Sequence, residues 1–114
     1  ERKVGRMKSI IQDEKKCFIT GQTYWLECHH IFFGRAYRKL SEKYGLKVWL
    51  TRELHRGTKG VHSNRELDLK LKRIAQEKFE ETYTFDELPY KVTTGLKNGD
   101  MRGAFIRMFG KSCL

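Results

Sequence analysis

An amphipathic segment from Ser63 to Glu81 carries the clearest structural pattern in this chain. Ser63 and Glu66 match a capping box, in which a hydroxyl and a carboxylate satisfy backbone donors at the start of a helix. The residues that follow recur at spacings of three and four and form one apolar stripe: Leu67, Leu71, Ile74, Ala75, Lys78 and Phe79. This pattern predicts one long helix that packs its stripe against the rest of the domain.

Shorter elements are predicted around this helix. They are a hairpin over Cys17–Leu26 that turns at Gly21-Gln22, a strand that ends in His29-His30, a helix over Arg35–Tyr44 that stops at Gly45, a strand over Lys47–Thr51 and a closing helix over Ala104–Gly110. The fold class predicted is therefore α+β. A short hairpin and a strand pack on the long capped helix, with helical segments added at both termini. Residues 85–103 are assigned no chemistry.

The length of 114 residues fits one domain with a modest core. Residues 1–6 precede Met7 and are interpreted as an arm or a remnant of cloning. Residues 7–114 are interpreted as a single domain with its core at 17–82 and an extension at 83–114.

Three cysteines, an odd number, do not suit a small secreted framework. No apolar run reaches the roughly 20 residues of a membrane helix. We expect a soluble, cytoplasmic protein without a membrane partner.

All four histidines lie in the middle of the chain, near the ends of predicted elements. His29 and His30 end a strand, so their side chains point to opposite faces and cannot share one packing role. Phosphodiester hydrolysis requires a base and a cation, and imidazoles supply a base and metal ligands. One strand histidine can hold the metal while its neighbour faces the water. His55 and His62 are the candidates for the further ligands.

The charge of the chain is strongly basic and unevenly distributed. Lys and Arg number 24 against 14 Asp and Glu, a net charge of +10, and residues 35–59 hold eight basic and two acidic groups. A basic surface attracts phosphates because binding releases condensed counterions. The predicted partner is DNA, with duplex, branched and single-stranded forms left open. The candidate phosphate contacts are Arg35, Arg38, Lys39 and Lys43. The alternative is a solvated surface that only maintains solubility.

Two segments resemble the HNH, or ββα-metal, endonuclease superfamily: "LECHHIFFG" and, before the long helix, "VWLTRELH". Four further segments are similar to small HNH-like proteins of phages and prophages: "RKLSEKYGLKVWL", "GVHSNRELDLKLK", "AQEKFEE" and "FIRMFGKSCL". That group also resembles the phage recombination-enhancement nucleases that act with RecA. The resemblance covers most of residues 7–82 and the last ten. It implies a ββα-metal core and a metal-dependent DNA endonuclease linked to recombination or DNA processing, with a recombinase partner left open.

The resemblance also implies a role for each histidine. His29 falls on the first metal ligand of the motif, His30 on the general base and His55 on a second metal ligand. His62 has no match in the shortest form of the motif, but histidine-rich members such as the colicin nucleases use an additional histidine near the final helix, and His62 is the implied third ligand. The implied cofactor is one divalent ion, with zinc, nickel, manganese and magnesium left open. Imidazole suits zinc or nickel better than magnesium.

The sequence departs from the relatives at three places. One is residues 85–103, which look inserted, and the other two concern the motif itself. Many relatives hold a structural zinc with two Cys-x-x-Cys knuckles, whose positions here read Cys17, Thr20, Thr51 and Leu54. One cysteine does not hold tetrahedral zinc, so no structural zinc is expected. Tyr37 stands where the relatives have the Asn that orients the base. These departures favour a second hypothesis, a catalytically impaired DNA-binding module on the same fold.

A third interpretation treats the histidines as incidental. It assigns the large rings of Trp25, Trp49, Phe32 and Phe33 to the core, as is usual for aromatic residues in a small domain. The concentration of four histidines in the basic part of the chain argues against it, although the core assignment of the rings stands as an expectation.

Overall fold

The structure is a computed structural model that describes residues 8–114, so the predicted arm at 1–6 and Met7 lie outside the described residues. The elements in chain order are β1 Leu26–His30, α1 Arg35–Tyr44, β2 Lys47–Thr51, α2 Arg52–Arg56, α3 Arg65–Thr82, a 3-10 turn Phe85–Glu87, α4 Tyr90–Thr93 and α5 Met101–Phe109. The arrangement is α+β, as predicted. Within residues 8–114, no helix combines the length and apolar character needed to cross a bilayer.

The two strands form an antiparallel sheet, in which His29 pairs with Val48 and His30 pairs with Lys47. Val48 is buried, so the face that it shares with His29 is the inner one. Because side chains alternate along a strand, Glu27 joins His29 on the inner face and His30 lies on the outer face. The sheet thereby separates the adjacent histidines.

Helix α1 begins and ends as predicted, and glycine explains its end. Gly45 has φ 73°, the left-handed conformation of a helix C-cap, and its N–H donates to carbonyls of α1. The buried Ser41 fastens the helix to the segment after β1, because its hydroxyl donates to the carbonyl of Phe32 and accepts from the N–H of Phe32. These bonds fix the basic helix beside the end of β1.

Replacing Gly45 by alanine is expected to lower the free energy of unfolding by more than about 1 kcal/mol, because φ is positive and a Cβ would lie 2.5 Å from the carbonyl oxygen of Lys8. Urea unfolding measures the change. Gly99→Ala is the matched control, since Gly99 has φ 88° and nothing within 4 Å of its Cβ position. Equal losses in the two variants would contradict the role of the contact with Lys8.

The core joins α3 to the C-terminal elements through aromatic rings. Phe105 and Phe109 of α5 stack at a centroid distance of 4.6 Å, and Phe79 of α3 meets Phe105 at 5.5 Å. Phe32, which follows β1, lies 4.6 Å from Phe109. These edge and stacked contacts bury large apolar area at low entropic cost. Residues after Thr82 are therefore packed into the same core as the sheet.

Helix α3 confirms the predicted long helix, but its N-cap lies one residue later than predicted. The side chain of Asn64, not that of Ser63, accepts a hydrogen bond from the N–H of Leu67 at 3.0 Å. Both residue types are good caps. Ser63 is instead part of a turn, in which its N–H donates to the carbonyl of Gly60.

The predicted hairpin over Cys17–Leu26 is also wrong. The chain reverses in a compact turn, in which the N–H of Cys17 donates to Gln22 at 2.7 Å and the N–H of Gly21 donates to Cys17 at 2.8 Å. This tight turn leaves too few residues on each side for a ladder, and β1 pairs with β2 instead. The predicted N-terminal helical segment is wrong as well, since residues 8–25 contain no helix, whereas the C-terminal helical segment is present.

The expectation that the large rings form the core holds only in part. Phe32 is buried and Trp49 is half-buried, but Phe33 is exposed and the side chain of Trp25 is 65% exposed. Trp25 immediately precedes β1 and lies at the edge of the domain. The buried rings of α3 and α5 are Phe79, Phe105 and Phe109.

Candidate metal centre

Three of the four histidines converge at one point on the inner side of the sheet. His29 comes from β1, His55 from α2 and His62 from the loop before α3. One ligand nitrogen of each lies within 4.8 Å of the others, and the ring centroids are separated by 5.0–5.3 Å. These three residues, called the histidine cluster below, are the ones that the sequence predicts as metal ligands.

The loop between α2 and α3 brings His62 back against His55. The N–H of Val61 donates to the carbonyl of Leu54 at 2.6 Å, so the chain folds onto the end of α2. Gly60 makes this possible, because a Cβ there would lie 2.7 Å from the carbonyl oxygen of Leu54. The glycine that the sequence places before the capped helix therefore determines the position of the third histidine.

His29 is the buried member of the cluster, with 1% of its surface exposed. Burial, together with the neighbouring His55 and His62, lowers the pKa of His29 to about 3, so the ring is neutral at physiological pH. Its Nε2 atom has no hydrogen-bond partner within the described part of the chain. A buried polar atom without a partner is unfavourable and requires an explanation. A divalent cation, if held by the cluster, would satisfy this nitrogen.

Glu27 orients the imidazole of His55 so that one ring nitrogen is left for a metal. Its carboxylate oxygen lies 2.8 Å from Nδ1 of His55 and also accepts hydrogen bonds from Arg56. The pKa of Glu27 lies below its ordinary value, chiefly because of the hydrogen bond from Arg56 and to a smaller extent because of that from His55. A carboxylate that accepts from Nδ1 leaves the lone pair of Nε2 for a metal. The sequence analysis missed Glu27, although its place two residues before His29 puts both on one face.

Replacing Glu27 by glutamine is expected to weaken metal affinity by about 10–100-fold, since the neutral amide loses the charge that orients and polarises His55. Competition for Zn²⁺ against a chelating indicator measures the change. Glu80→Gln is the control, because Glu80 also pairs with an arginine, Arg102, but contacts none of the cluster. Unchanged affinity in Glu27→Gln would contradict the orienting role.

His62 forms the exposed side of the cluster. Burial and the adjacent His55 lower its pKa, while Asp68 opposes the shift. The ammonium of Lys72 is paired with Asp68 at 2.9 Å and lies 4.7 Å from the ring centroid of Phe33, which is itself 4.8 Å from the ring centroid of His62. Its charge contributes to lowering the pKa of His29 and of His62. Lys72 is therefore a cation beside the cluster that the sequence analysis did not select. In the sequence, Lys72 could be recognised only as one charged residue on the polar face of the long helix, one turn after Asp68.

The structure does not place His30 in the cluster. Its Nε2 lies 2.8 Å from one oxygen of Glu42, and the other oxygen accepts from the ammonium of Lys47 at 2.9 Å. His30 lines a cleft of about 710 Å³ on the outer face of the sheet. Glu42 is thus the residue that holds His30, a role that the motif gives to an Asn.

Two of the predicted phosphate contacts share this cleft. Arg38 and Lys39 line it, whereas Arg35 and Lys43 are exposed elsewhere on α1. Tyr37, at the position of the motif Asn, packs its ring against Phe109 at 5.9 Å. The basic helix therefore lies beside His30.

Comparisons with models of protein families, with curated proteins and with solved structures find no match for this chain. The likeness to HNH endonucleases stays a prediction from the sequence motifs. A function is therefore inferred from the cluster, its carboxylate and the charges around them.

Proposed function

We propose that the protein is a metal-dependent endonuclease that hydrolyses DNA phosphodiester bonds at the histidine cluster. The observation that supports this proposal best is the convergence of three imidazoles around the unpaired Nε2 of buried His29. Three protein ligands with one position left for water or substrate are typical of catalytic zinc sites. A divalent ion bound there would act as a Lewis acid toward the phosphate and lower the pKa of water.

The residues of the chain fit such an ion. His29 is neutral because burial lowers its pKa, so its lone pair is available without loss of a proton. Glu27 orients His55, and Glu27 is in turn held by Arg56. Lys72, which is paired with Asp68 at 2.9 Å, is the proposed cation for the phosphate of a substrate. Nitrogen donors favour zinc or nickel over magnesium.

The exposed cations of α1 provide the proposed DNA contacts. Arg35, Arg38, Lys39 and Lys43 are all exposed on this helix. Contacts of this kind bind the backbone without reading sequence, and affinity should fall steeply as salt is added. On the strength of the HNH-like motifs, we place the activity in phage or prophage DNA recombination or processing, with a recombinase as the proposed protein partner.

His30 is the proposed general base. The HNH-like motif implies this role, and His30 follows His29 directly at the end of β1, with its side chain on the outer face of the sheet. Its hydrogen bond to Glu42 fixes the ring, and Lys47 balances the charge of that carboxylate. The arrangement supports proton transfer by an oriented imidazole.

His30→Ala is expected to lower cleavage by about 100–10,000-fold while metal and DNA binding stay nearly intact. His55→Ala should instead lower metal occupancy, and cleavage with it, because His55 belongs to the cluster. Single-turnover cleavage and equilibrium dialysis measure the two properties separately. Identical loss of both properties in both variants would contradict the division of roles.

Nicking of supercoiled plasmid tests the function itself. The purified protein is incubated with magnesium, manganese, nickel or zinc, and with a chelator, beside His55→Ala. Nicking that requires a metal and is lost in the variant is the expected result. DNA binding without nicking under every metal would contradict the proposal.

A second candidate is a DNA-binding module that keeps the cluster but has lost cleavage. The observation that favours it is the separation of His30 from the cluster by the sheet, together with the packing of Tyr37 against Phe109. A module of this kind would bind metal and DNA but would cleave DNA with none of the metals, in the wild type as in His30→Ala.

A further inference from the structure

Two aromatic side chains project into solvent just before β1. Tyr24 is 62% exposed and Trp25 is 65% exposed. Trp25 has φ 59°, and within residues 8–114 no other residue except glycine has a positive φ. This conformation is sterically unfavourable for a bulky residue and persists only where the surroundings impose it. Neither core packing nor the backbone therefore explains why a tryptophan occupies this position.

An arginine of α2 lies beside the ring of Trp25. The guanidinium of Arg52 is 5.6 Å from the centroid of the Trp25 ring, and the N–H of Arg52 donates to the carbonyl of Trp25 at 2.9 Å. Arg56 is one turn further along the same helix, and the side chains of both arginines are more than half exposed. Tyr24, Trp25, Arg52 and Arg56 together are called the Trp25 surface below.

The Trp25 surface adjoins the histidine cluster through one carboxylate. Nε of Arg52 is 3.8 Å from Glu27, Arg56 hydrogen-bonds the same group, and Glu27 lies 2.8 Å from His55. The ring of Trp25, the two arginines and the histidine cluster are therefore neighbours, connected through the carboxylate of Glu27. A polyanion held by the arginines would reach both the rings and the proposed metal centre.

We infer that the Trp25 surface binds unpaired nucleobases, and that the DNA bound at the cluster is single-stranded or contains an unpaired segment. Bases stack on exposed aromatic rings when their faces are free, while arginines pair with the phosphates. The bases of an intact duplex stack on one another and offer no free face. The connection of this binding to cleavage rests on the proposed function, whereas the binding itself does not.

Fluorescence anisotropy with a labelled single strand and a duplex of the same length tests this inference, in the presence of a chelator so that no cleavage occurs. Trp25→Ala is expected to weaken binding of the single strand roughly tenfold, the loss of one stacking contact, and to leave duplex binding unchanged. Trp25→Phe should keep most of the affinity. Tyr90→Ala is the control, since Tyr90 is 79% exposed on α4 and should contribute nothing.

Trp25→Gly separates the loss of the ring from a loss of stability. Glycine adopts a positive φ freely, so this variant should unfold at a higher temperature than Trp25→Ala. Both variants lack the ring and should bind the single strand equally weakly. Binding that follows thermal stability instead would overturn the inference.

The alternative occupants give different results. If the surface contacts a second copy of the chain, sedimentation will show a wild-type dimer that Trp25→Ala dissociates, and single-strand affinity will not depend on the ring. Unchanged single-strand binding in Trp25→Ala, or an equal loss on duplex and single strand, would also overturn the inference. His29→Ala should retain the preference for single strands. A failure of the proposed cleavage at the cluster is thereby distinguished from a failure of base binding at the Trp25 surface.

Discussion

Replacing His29 by leucine is expected to abolish binding of divalent metal at the cluster while leaving the metal-free protein at least as stable as the wild type. The variant loses one of three ligands, so the stabilisation by bound ion, about 2.7 kcal/mol at a metal concentration of 100 times Kd, disappears. At the same time it removes a buried nitrogen that has no partner in residues 8–114. Such an orphaned atom costs about 1–3 kcal/mol.

Thermal unfolding with chelator and with Zn²⁺ measures both effects. His30→Leu is the matched control, because His30 lies on the outer face against Glu42 and contributes no ligand to the cluster. The control should keep the rise in unfolding temperature on addition of metal. A metal-dependent rise that survives in His29→Leu would show that the ion binds elsewhere.

The second large effect is the acid sensitivity of the metal-free protein. Burial, with His55 and His62 close by, lowers the pKa of His29 from 6.5 to about 3. Between these values the unfolded chain binds a proton that the folded chain does not, so stability decreases as pH falls. The loss approaches about 1.4 kcal/mol per pH unit and is on the order of 5 kcal/mol over the whole window.

Urea unfolding from pH 7 to pH 4 in the presence of a chelator measures this dependence. His29→Leu has no group to protonate at this position, so its stability should fall much less over the same range. Parallel curves for the wild type and the variant would contradict a neutral, buried His29 as the source of the acid sensitivity.

Local pattern was enough to predict some of the elements around the cluster. β-branched and aromatic residues indicate the strand that begins at Lys47, and the glycine after Tyr44 ends α1. The spacing of the histidines between these elements, combined with the HNH-like motif, predicted that His29, His55 and His62 would meet. These features depend on neighbours in the sequence or on one recurring motif.

Features that depend on tertiary contact could not be predicted. Helix α2 has five residues, too few to show a period, so the element that carries His55 resembled a strand end and a loop. The partner of His30 is Glu42, twelve residues away in another element. Trp25 resembled a core residue because composition does not show which ring the remaining chain can cover.

The orientation of Glu27 stands between these two cases. Its position two residues before His29 was visible, but its partner His55 is 28 residues away and belongs to the unpredicted α2. The alternation of side chains along a strand indicates that Glu27 lies on the same face as His29. Only the fold shows that its carboxylate reaches the imidazole.

The measurement that tests the three-histidine centre most directly is X-ray absorption at the zinc edge of the protein loaded with one equivalent of Zn²⁺. We expect three imidazole nitrogens at about 2.0–2.1 Å and a fourth light ligand from solvent, the coordination of a catalytic zinc site. The cluster supplies those three nitrogens in the metal-free chain. A sulfur ligand at about 2.3 Å, or fewer than three imidazoles, would contradict the centre and the function inferred from it.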